Sequence, residues 1–370
     1  MFVSLPSIPS VTKLTPFVTR ILGHNPGPHT LQGTNSYVVG APSLSRVLID
    51  TTSKGIGLQS YLDHLKTELE LCTTATPLSA ILLTHWHPDH TEGVTAVLDL
   101  AHEIARRNTG IAEPIPVYKF PGGPDLKKLN FYQGDICDLE ADQCIPVPLS
   151  DSNAVHIRVI PCPGHSVDHV CFVIERNGSP IWLFTGDTIL GHGSTTVQDL
   201  PAYMNSLCVL RTLVESTKGQ SEEPLLLLPS HGVESTDALG KIDEYIANRQ
   251  SRINKAMEFL QSQPLDSWFN ESDVMQFVYP EVPESLKLDA MINLRHSLFW
   301  IASRRGQNDQ SLSLCAFASV GHTRREVTAE CYSNMLASAE RRILASQSQP
   351  IASDGHAILC AEWDWKRSST

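Results

Sequence analysis

Residues 85–90 read His-Trp-His-Pro-Asp-His, which puts three histidines and an aspartate within six positions. Imidazole and carboxylate groups together suit zinc and similar divalent cations. The apolar run 80–83 comes just before them and is typical of a short buried strand. A loop at the end of a rigid strand can hold several ligands in fixed positions, so this stretch predicts a metal-binding loop.

Three later segments are predicted to be strands: 155–160, which alternates, and the apolar runs 181–185 and 225–228. Each is followed within a few residues by a possible metal ligand, in order His165, Asp187 and His231. An aspartate after a glycine at a strand end is often only a turn residue, so Asp187 taken alone leaves both interpretations open. The chemistry therefore depends on whether these strand ends meet.

The composition is that of an ordinary globular protein, with 370 residues and 41% hydrophobic content. The formal charge of −12 disfavours a broad polyanion-binding surface, although a metal pair would bring local positive charge. Nine cysteines without a CxxC motif indicate a reducing compartment. The amino terminus lacks the features of a secretory signal, and no apolar run approaches 18 residues, so we expect a cytoplasmic protein with no membrane span.

The remaining pattern predicts the elements that position these donors. Residues 13–50 are typical of strands and turns, and an Asn-Gly turn at 177–178 predicts a hairpin. Apolar spacing predicts helices over 61–69, 93–106 and 203–214, a long helix from 239, and two more at 272–279 and 286–301. His102 and His192 are expected to be ordinary helix and loop histidines.

The pattern His-x-His-x-Asp-His resembles the metallo-β-lactamase superfamily of metal-dependent hydrolases. The segment 25–35, Asn-Pro-Gly-Pro-His-Thr-Leu-Gln-Gly-Thr-Asn, narrows the resemblance to one branch. That branch holds the animal β-lactamase-like-2 endoribonuclease and the metallo-β-lactamase-type thioesterases of fungal polyketide pathways. The resemblance covers roughly residues 12 to 302.

This resemblance implies an α/β fold, a four-layer αββα sandwich with a small C-terminal winged-helix-like helical region. The expected domains are a catalytic domain at 1–236, a helical winged-helix-like region at 237–302, and an insertion or partly disordered tail with a possible final strand at 303–370.

The resemblance also implies two divalent metal ions, expected to be zinc, with manganese or iron as alternatives. Seven ligands are carried over residue by residue: His85, His87 and His165 for the first ion, Asp89, His90 and His231 for the second, and Asp187 as the bridge. Asp89 would also donate and accept the proton, Asp50 would orient a ligand, and His169 would support the site from outside. Thr51 and Ser230 stand where the family usually has glycine, and a left-handed backbone at Ser230 would be strained.

Two bridged metal ions lower the pKa of water enough to give hydroxide, the nucleophile expected here. The resemblance then implies hydrolysis of an acyl (polyketide) thioester held on an acyl carrier protein or polyketide synthase. The acidic charge and the apolar helix at 286–301 favour this over the alternative, a single-stranded-RNA endoribonuclease, which needs a cationic groove. Glyoxalase-II-like or lactone hydrolysis is a lesser alternative. A non-catalytic interaction protein is disfavoured because no donor is missing.

Overall fold

The computed structural model describes residues 5–73, 76–149, 155–218, 225–264, 267–303, 313–320, 323–327 and 363–368. The chain divides into two compact units. The first comprises Met1–Thr195 and Ser206–Ile242, and the second comprises Thr196–Asn205 and Asp243–Thr370. The domain boundaries expected from the sequence remain predictions.

The first unit contains a seven-stranded sheet in sequential strand order. Its strands are β1 (Val11–Thr15), β2 (Val18–Leu22), β3 (Asn35–Val39), β4 (Arg46–Ile49), β5 (Leu78–Leu83), β6 (Val117–Lys119) and β7 (Cys137–Asp138). The first four strands are antiparallel, whereas β4 to β7 are parallel. Parallel neighbours need a crossover, and helix α1 (Leu58–Leu69) supplies it between β4 and β5.

A five-stranded sheet with the order β12-β11-β10-β9-β8 completes this unit. Its strands are β8 (Cys144–Pro146), β9 (Val155–Pro161), β10 (Val170–Arg176), β11 (Ser179–Gly186) and β12 (Leu226–Pro229). The predicted hairpin joins β10 to β11, and Asn177 and Gly178 both have the positive φ that a tight type I′ turn requires.

The two sheets pack face to face around one apolar core. Val47, Ile49 and Leu82 of the first sheet lie in the same buried cluster as Phe172 and Phe184 of the second. Strands buried on both faces explain the continuous apolar runs in the sequence.

The predicted helices are present. They are α1, α3 (Val94–Thr109), α4 (Leu200–Ser216) and α5 (Ala238–Ser262), and a one-turn helix that was not predicted, α2 (Pro88–Thr91), comes before α3. α1 and α3 contact each other and turn their apolar sides inward, burying residues such as Tyr61 and Val97. The predicted α/β sandwich is therefore confirmed. Within the described residues, no helix combines the length and the apolar character that crossing a bilayer requires.

The second unit contains α6 (Glu271–Val278), a 3-10 turn (Glu284–Leu286) and α7 (Lys287–Ser303), close to the two predicted helices. A four-stranded sheet accompanies them, in the order β13 (Trp268–Asn270), β16 (Trp363–Ser368), β14 (Ser313–Val320) and β15 (Thr323–Val327). β14 and β15 were not predicted from the sequence. Most of the expected insertion or disordered tail, including 328–362, lies outside the described residues and stays a prediction.

Candidate metal centre

The predicted ligands follow the carboxyl ends of strands that run in the same direction. β9 and β11 are both antiparallel to β10, and β12 is parallel to β11, so the chain leaves β9, β11 and β12 at one edge of the second sheet. The loop after β5 in the first sheet joins this edge, because Val170 N–H donates to Thr84 O at 2.9 Å. The topology therefore delivers all the ligand loops to one place.

Three histidines and an aspartate form the first group. The side chains of His85, His87, His165 and Asp187 each offer one ligand atom, and these atoms all lie within 4.8 Å of one another. His87 Nδ1 is 2.8 Å from His85 Nε2 and 3.1 Å from His165 Nε2. Three ring nitrogens thus face a common point.

The second group consists of Asp89, His90 and His231, again with ligand atoms within 4.8 Å. Asp89 Oδ2 lies 3.1 Å from His90 Nε2 and 3.2 Å from His231 Nε2. Asp187 reaches both groups, because its Oδ2 is 3.6 Å from His165 Nε2 and its Oδ1 is 3.2 Å from His231 Nε2. All seven residues named from the sequence therefore meet, with Asp187 between the groups.

The hydrogen bonds around these rings leave their inner nitrogens available. Four histidines are held at Nδ1 by an oxygen outside the centre and turn Nε2 inward: His85 by Thr84, His165 by Thr195, His90 by Asp50, and His231 by the carbonyl of Gly33. Metal-binding histidines usually have such an outer partner. His90 Nε2 and Asp187 Oδ1 are buried without a hydrogen-bond partner, which is costly unless a cation lies between them. The donor set therefore fits divalent cations.

Burial and neighbouring positive charge keep His85 and His87 of the first group neutral. Burial and His90 hold the pKa of His85 well below its usual range. Burial and His165 lower the pKa of His87 to about 3. At pH 7 both rings therefore present a lone pair, the state that a metal ligand needs.

Asp50 lies outside both groups and is linked to each of them by hydrogen bonds. Its carboxylate accepts hydrogen bonds from Thr84 N–H, from the Thr84 hydroxyl and from His90 Nδ1–H, each at 2.8 Å. Since the Thr84 hydroxyl donates to Asp50, it is free to accept from His85 Nδ1–H at 3.0 Å. One carboxylate thus fixes the ring orientation of a histidine in each group, with Nε2 turned toward the centre.

Asp50→Asn is expected to weaken metal binding by about 10–100-fold, the usual cost of losing an outer-shell partner. Asparagine tolerates the left-handed backbone at this position, where φ is 56°, so the loop should keep its shape. Competition with a chromophoric chelator measures the affinity. Ser230→Ala, which removes only a 3.2 Å hydrogen bond to the same carboxylate, is the control with a smaller expected effect. Equal losses in the two variants would contradict the role given to Asp50.

His169 supports the centre from outside it, as the resemblance implied. Its Nε2 accepts from the Asp187 backbone N–H at 2.9 Å, and its Nδ1 lies 3.1 Å from Thr188 Oγ1. A Cβ on Gly186 would come within 2.5 Å of His169 Nε2, so this close approach requires glycine. His102 and His192 belong to neither group.

Both departures from the family pattern are accommodated. Ser230 does not have a positive φ, so its backbone is free of the strain of a left-handed conformation. Its hydroxyl donates to Asp50. Thr51 is buried, and its hydroxyl and N–H both donate to the carbonyl of His90, at 2.7 and 3.0 Å.

Sequence reasoning gave no role to Asn25 and Thr34. The Thr34 hydroxyl donates to Asp89 Oδ2 at 3.0 Å, while Asn25 donates to that hydroxyl and accepts from Thr34 N–H. The segment 25–35 had served only to narrow the resemblance. The feature of the sequence that could have indicated these roles is the high density of small polar residues in a loop next to a strand.

A two-sheet α/β sandwich with paired His/Asp groups at one edge is the architecture of a class of metal-dependent hydrolases. Residues 29–249 match the metallo-β-lactamase superfamily, and the chain belongs to that superfamily. The predicted hydrolase class is thereby confirmed.

Both kinds of relative expected in the predicted branch are similar to this chain. The atrochrysone carboxyl ACP thioesterase of Aspergillus chevalieri is 33% identical over 291 residues, which cover 78% of this chain and 81% of that one. The β-lactamase-like protein 2 homolog of Drosophila melanogaster is 34% identical over 297 residues, 79% of this chain and 89% of that one. Among solved structures, a metallo-β-lactamase family protein of Thermus thermophilus has a TM-score of 0.58 at 18% identity, covering 85% of this chain and 100% of that one.

Proposed function

We propose that the centre binds two divalent cations, with His85, His87 and His165 at the first and Asp89, His90 and His231 at the second. Asp187 would hold both cations, because its two oxygens face different groups. Zinc is the cation we expect, because imidazole and carboxylate ligands suit it, and manganese and iron are accepted by the same set.

We further propose that the protein is a thioesterase that releases an acyl group from an acyl carrier protein, as in secondary metabolite biosynthesis. Two bound cations would activate water and polarise a carbonyl oxygen. The side chains of the protein would orient the reactants and transfer a proton. Asp89 lies in a position to transfer that proton. Its side chain is 18% exposed while that of His90 is fully buried, so substrate can reach it.

Thr34 orients the carboxylate of Asp89. By donating to Oδ2, the Thr34 hydroxyl fixes one carboxylate oxygen toward the second group and leaves Oδ1 to exchange a proton with the reacting water. Asn25 holds Thr34 through both its N–H and its hydroxyl, so Asp89 has a fixed orientation before substrate arrives.

The similarity to a carrier-protein thioesterase is the observation that carries the choice of substrate. The segment whose glycines approach Val167 and Asp168, close in the chain to His165, also supports it. Residues 120–124, Phe-Pro-Gly-Gly-Pro, contain no cation with which to hold a phosphate backbone. The expected partner is therefore an acyl carrier protein, free or within a polyketide synthase.

The test uses purified protein loaded with zinc or manganese. An acyl-carrier-protein thioester and a single-stranded RNA are supplied as substrates in parallel reactions. We expect release of the free thiol without cleavage of the RNA. Asp89→Asn controls for contaminating hydrolases and should lower turnover by about 10²–10⁴-fold. Cleavage of RNA alone, or preferential hydrolysis of a glutathione thioester or lactone, would overturn the proposal.

A further inference from the structure

The turn that carries His165 exposes a single side chain. Within 161–170, every residue is buried or half-buried except Val167, which is 57% exposed. Val167 is two residues from His165, and two residues of chain span at most about 7 Å. An exposed apolar side chain is therefore fixed within a short distance of a proposed metal ligand.

A buried ion pair immobilises this turn. Lys119 Nζ lies 2.7 Å from Asp168 Oδ2, and both side chains are at most 7% exposed. Lys119 also donates to the carbonyl of Phe120, and the Ser166 hydroxyl donates to Asp168 Oδ1 at 2.8 Å. Asp168 thus ties the turn to the start of the 120–124 segment, and its hydrogen bond to Ser166 closes the turn around Val167. Exposure of Val167 is therefore a property of a rigid turn.

The 120–124 segment forms a wall next to Val167 that carries no side chain at Gly122 and Gly123. A Cβ on Gly122 would lie 3.8 Å from Val167 Cγ2, and one on Gly123 would lie 2.3 Å from Asp168 Oδ2. Gly122 has a φ of 106°, which other residues rarely adopt. One valine methyl therefore lies beside glycine backbone with no side chain to cover it, and Pro121 and Pro124 flank the two glycines in the chain.

We propose that Val167 and the Pro121–Pro124 wall bind the hydrocarbon part of the acyl group while its carbonyl lies at the metal centre. This inference rests on the proposed function and names the part of the substrate that this surface selects. A rigid apolar surface binds a chain at little entropic cost, because the surface does not have to be ordered on binding. Binding removes apolar area on both partners from water, so affinity rises with chain length.

The experiment compares S-acetyl, S-hexanoyl and S-decanoyl pantetheine as substrates of the zinc-loaded full chain. We expect Val167→Asn to lower the ratio of kcat/KM for the decanoyl over the acetyl thioester by about tenfold, the low end for losing apolar contact in a pocket. Val167→Ala should lower the ratio in the same direction by less. The loss should fall on KM, because binding that is equal in the ground and transition states affects KM alone.

Ile111→Asn and Ile111→Ala are matched controls. Ile111 is 62% exposed and follows α3, whose 16 residues extend roughly 24 Å from the His90 loop. Its variants should therefore leave the decanoyl-to-acetyl ratio of kcat/KM unchanged. Metal content should equal that of the wild type in all four variants, which separates substrate contact from a disturbed His165.

The results distinguish the two proposals. If the wild type hydrolyses no acyl pantetheine, the proposed function fails and this inference fails with it. If the wild type hydrolyses the series but the Val167 variants keep the wild-type ratio, or the Ile111 variants lose it equally, the thioesterase stands and the role of Val167 is overturned.

Discussion

His87→Ala is expected to remove one of two divalent cations per chain and to lower kcat/KM for an acyl thioester by about 10³-fold or more. His87 Nδ1 lies between His85 Nε2 and His165 Nε2, so alanine removes the central donor of the first group. The two remaining imidazoles and Asp187 cannot retain the cation at the same affinity. Metal analysis of the purified variant and steady-state kinetics measure the two effects.

His102→Ala is the matched control, because this histidine lies on α3 outside both groups. Alanine is a good helix former, so the variant should fold and keep the metal content and activity of the wild type. A His87→Ala protein that retains two cations and full turnover would show that the ligand assignment is wrong.

The candidate site could be predicted from sequence because its residues are conspicuous there. His85, His165, Asp187 and His231 each follow an apolar strand, and a donor that interrupts such a pattern has few structural explanations. Their convergence then follows from topology, since strands that run in the same direction end at the same edge. The resemblance supplied the pairing of donors into two groups, which spacing alone left open.

The supporting interactions of Thr34 and Lys119 could not be predicted, because they join common residue types that are far apart in the chain. Thr34 contacts Asp89 across 55 positions, and Lys119 contacts Asp168 across 49. Threonine, lysine and aspartate occur on any surface, so nothing in the sequence marks these pairs. Their roles depend on burial, which only the folded chain defines.

The strand β14 was missed for a different reason. Its sequence, Ser-Leu-Cys-Ala-Phe-Ala-Ser-Val, has two serines on one face and two alanines on the other, and small residues on both faces give little contrast between a buried and an exposed side. Pairing with β15 and β16 supplies the hydrogen bonds that make this segment a strand. Those partners come later in the chain, β16 more than 40 positions away, so the local pattern does not reveal them.

Arg295→Met is expected to destabilise the second unit by about 3–5 kcal/mol. Arg295 and Glu271 form a bidentate pair, with one hydrogen bond of 2.8 Å between Nε and Oε2 and a second between Nη2 and Oε1, and both side chains are at most 1% exposed. Methionine fills much of the volume but leaves the buried carboxylate without the guanidinium that neutralises it. Urea unfolding followed by tryptophan fluorescence measures the loss, since Trp268, Trp300, Trp363 and Trp365 all belong to this unit.

Two comparisons separate the effect of charge from that of lost packing. The double variant Arg295→Met/Glu271→Leu should recover much of the stability, because replacing both members of a buried pair removes the uncompensated charge. Lys287→Met breaks the Lys287–Glu284 pair on the same helix, where the two side chains are 52% and 84% exposed, and the urea midpoint should stay at the wild-type value. If the double variant were no more stable than Arg295→Met, the loss would come from packing of the arginine side chain. The arginine side chain would then stabilise the packing of α6 against α7 through its shape, and neutralisation of the Glu271 charge would not contribute.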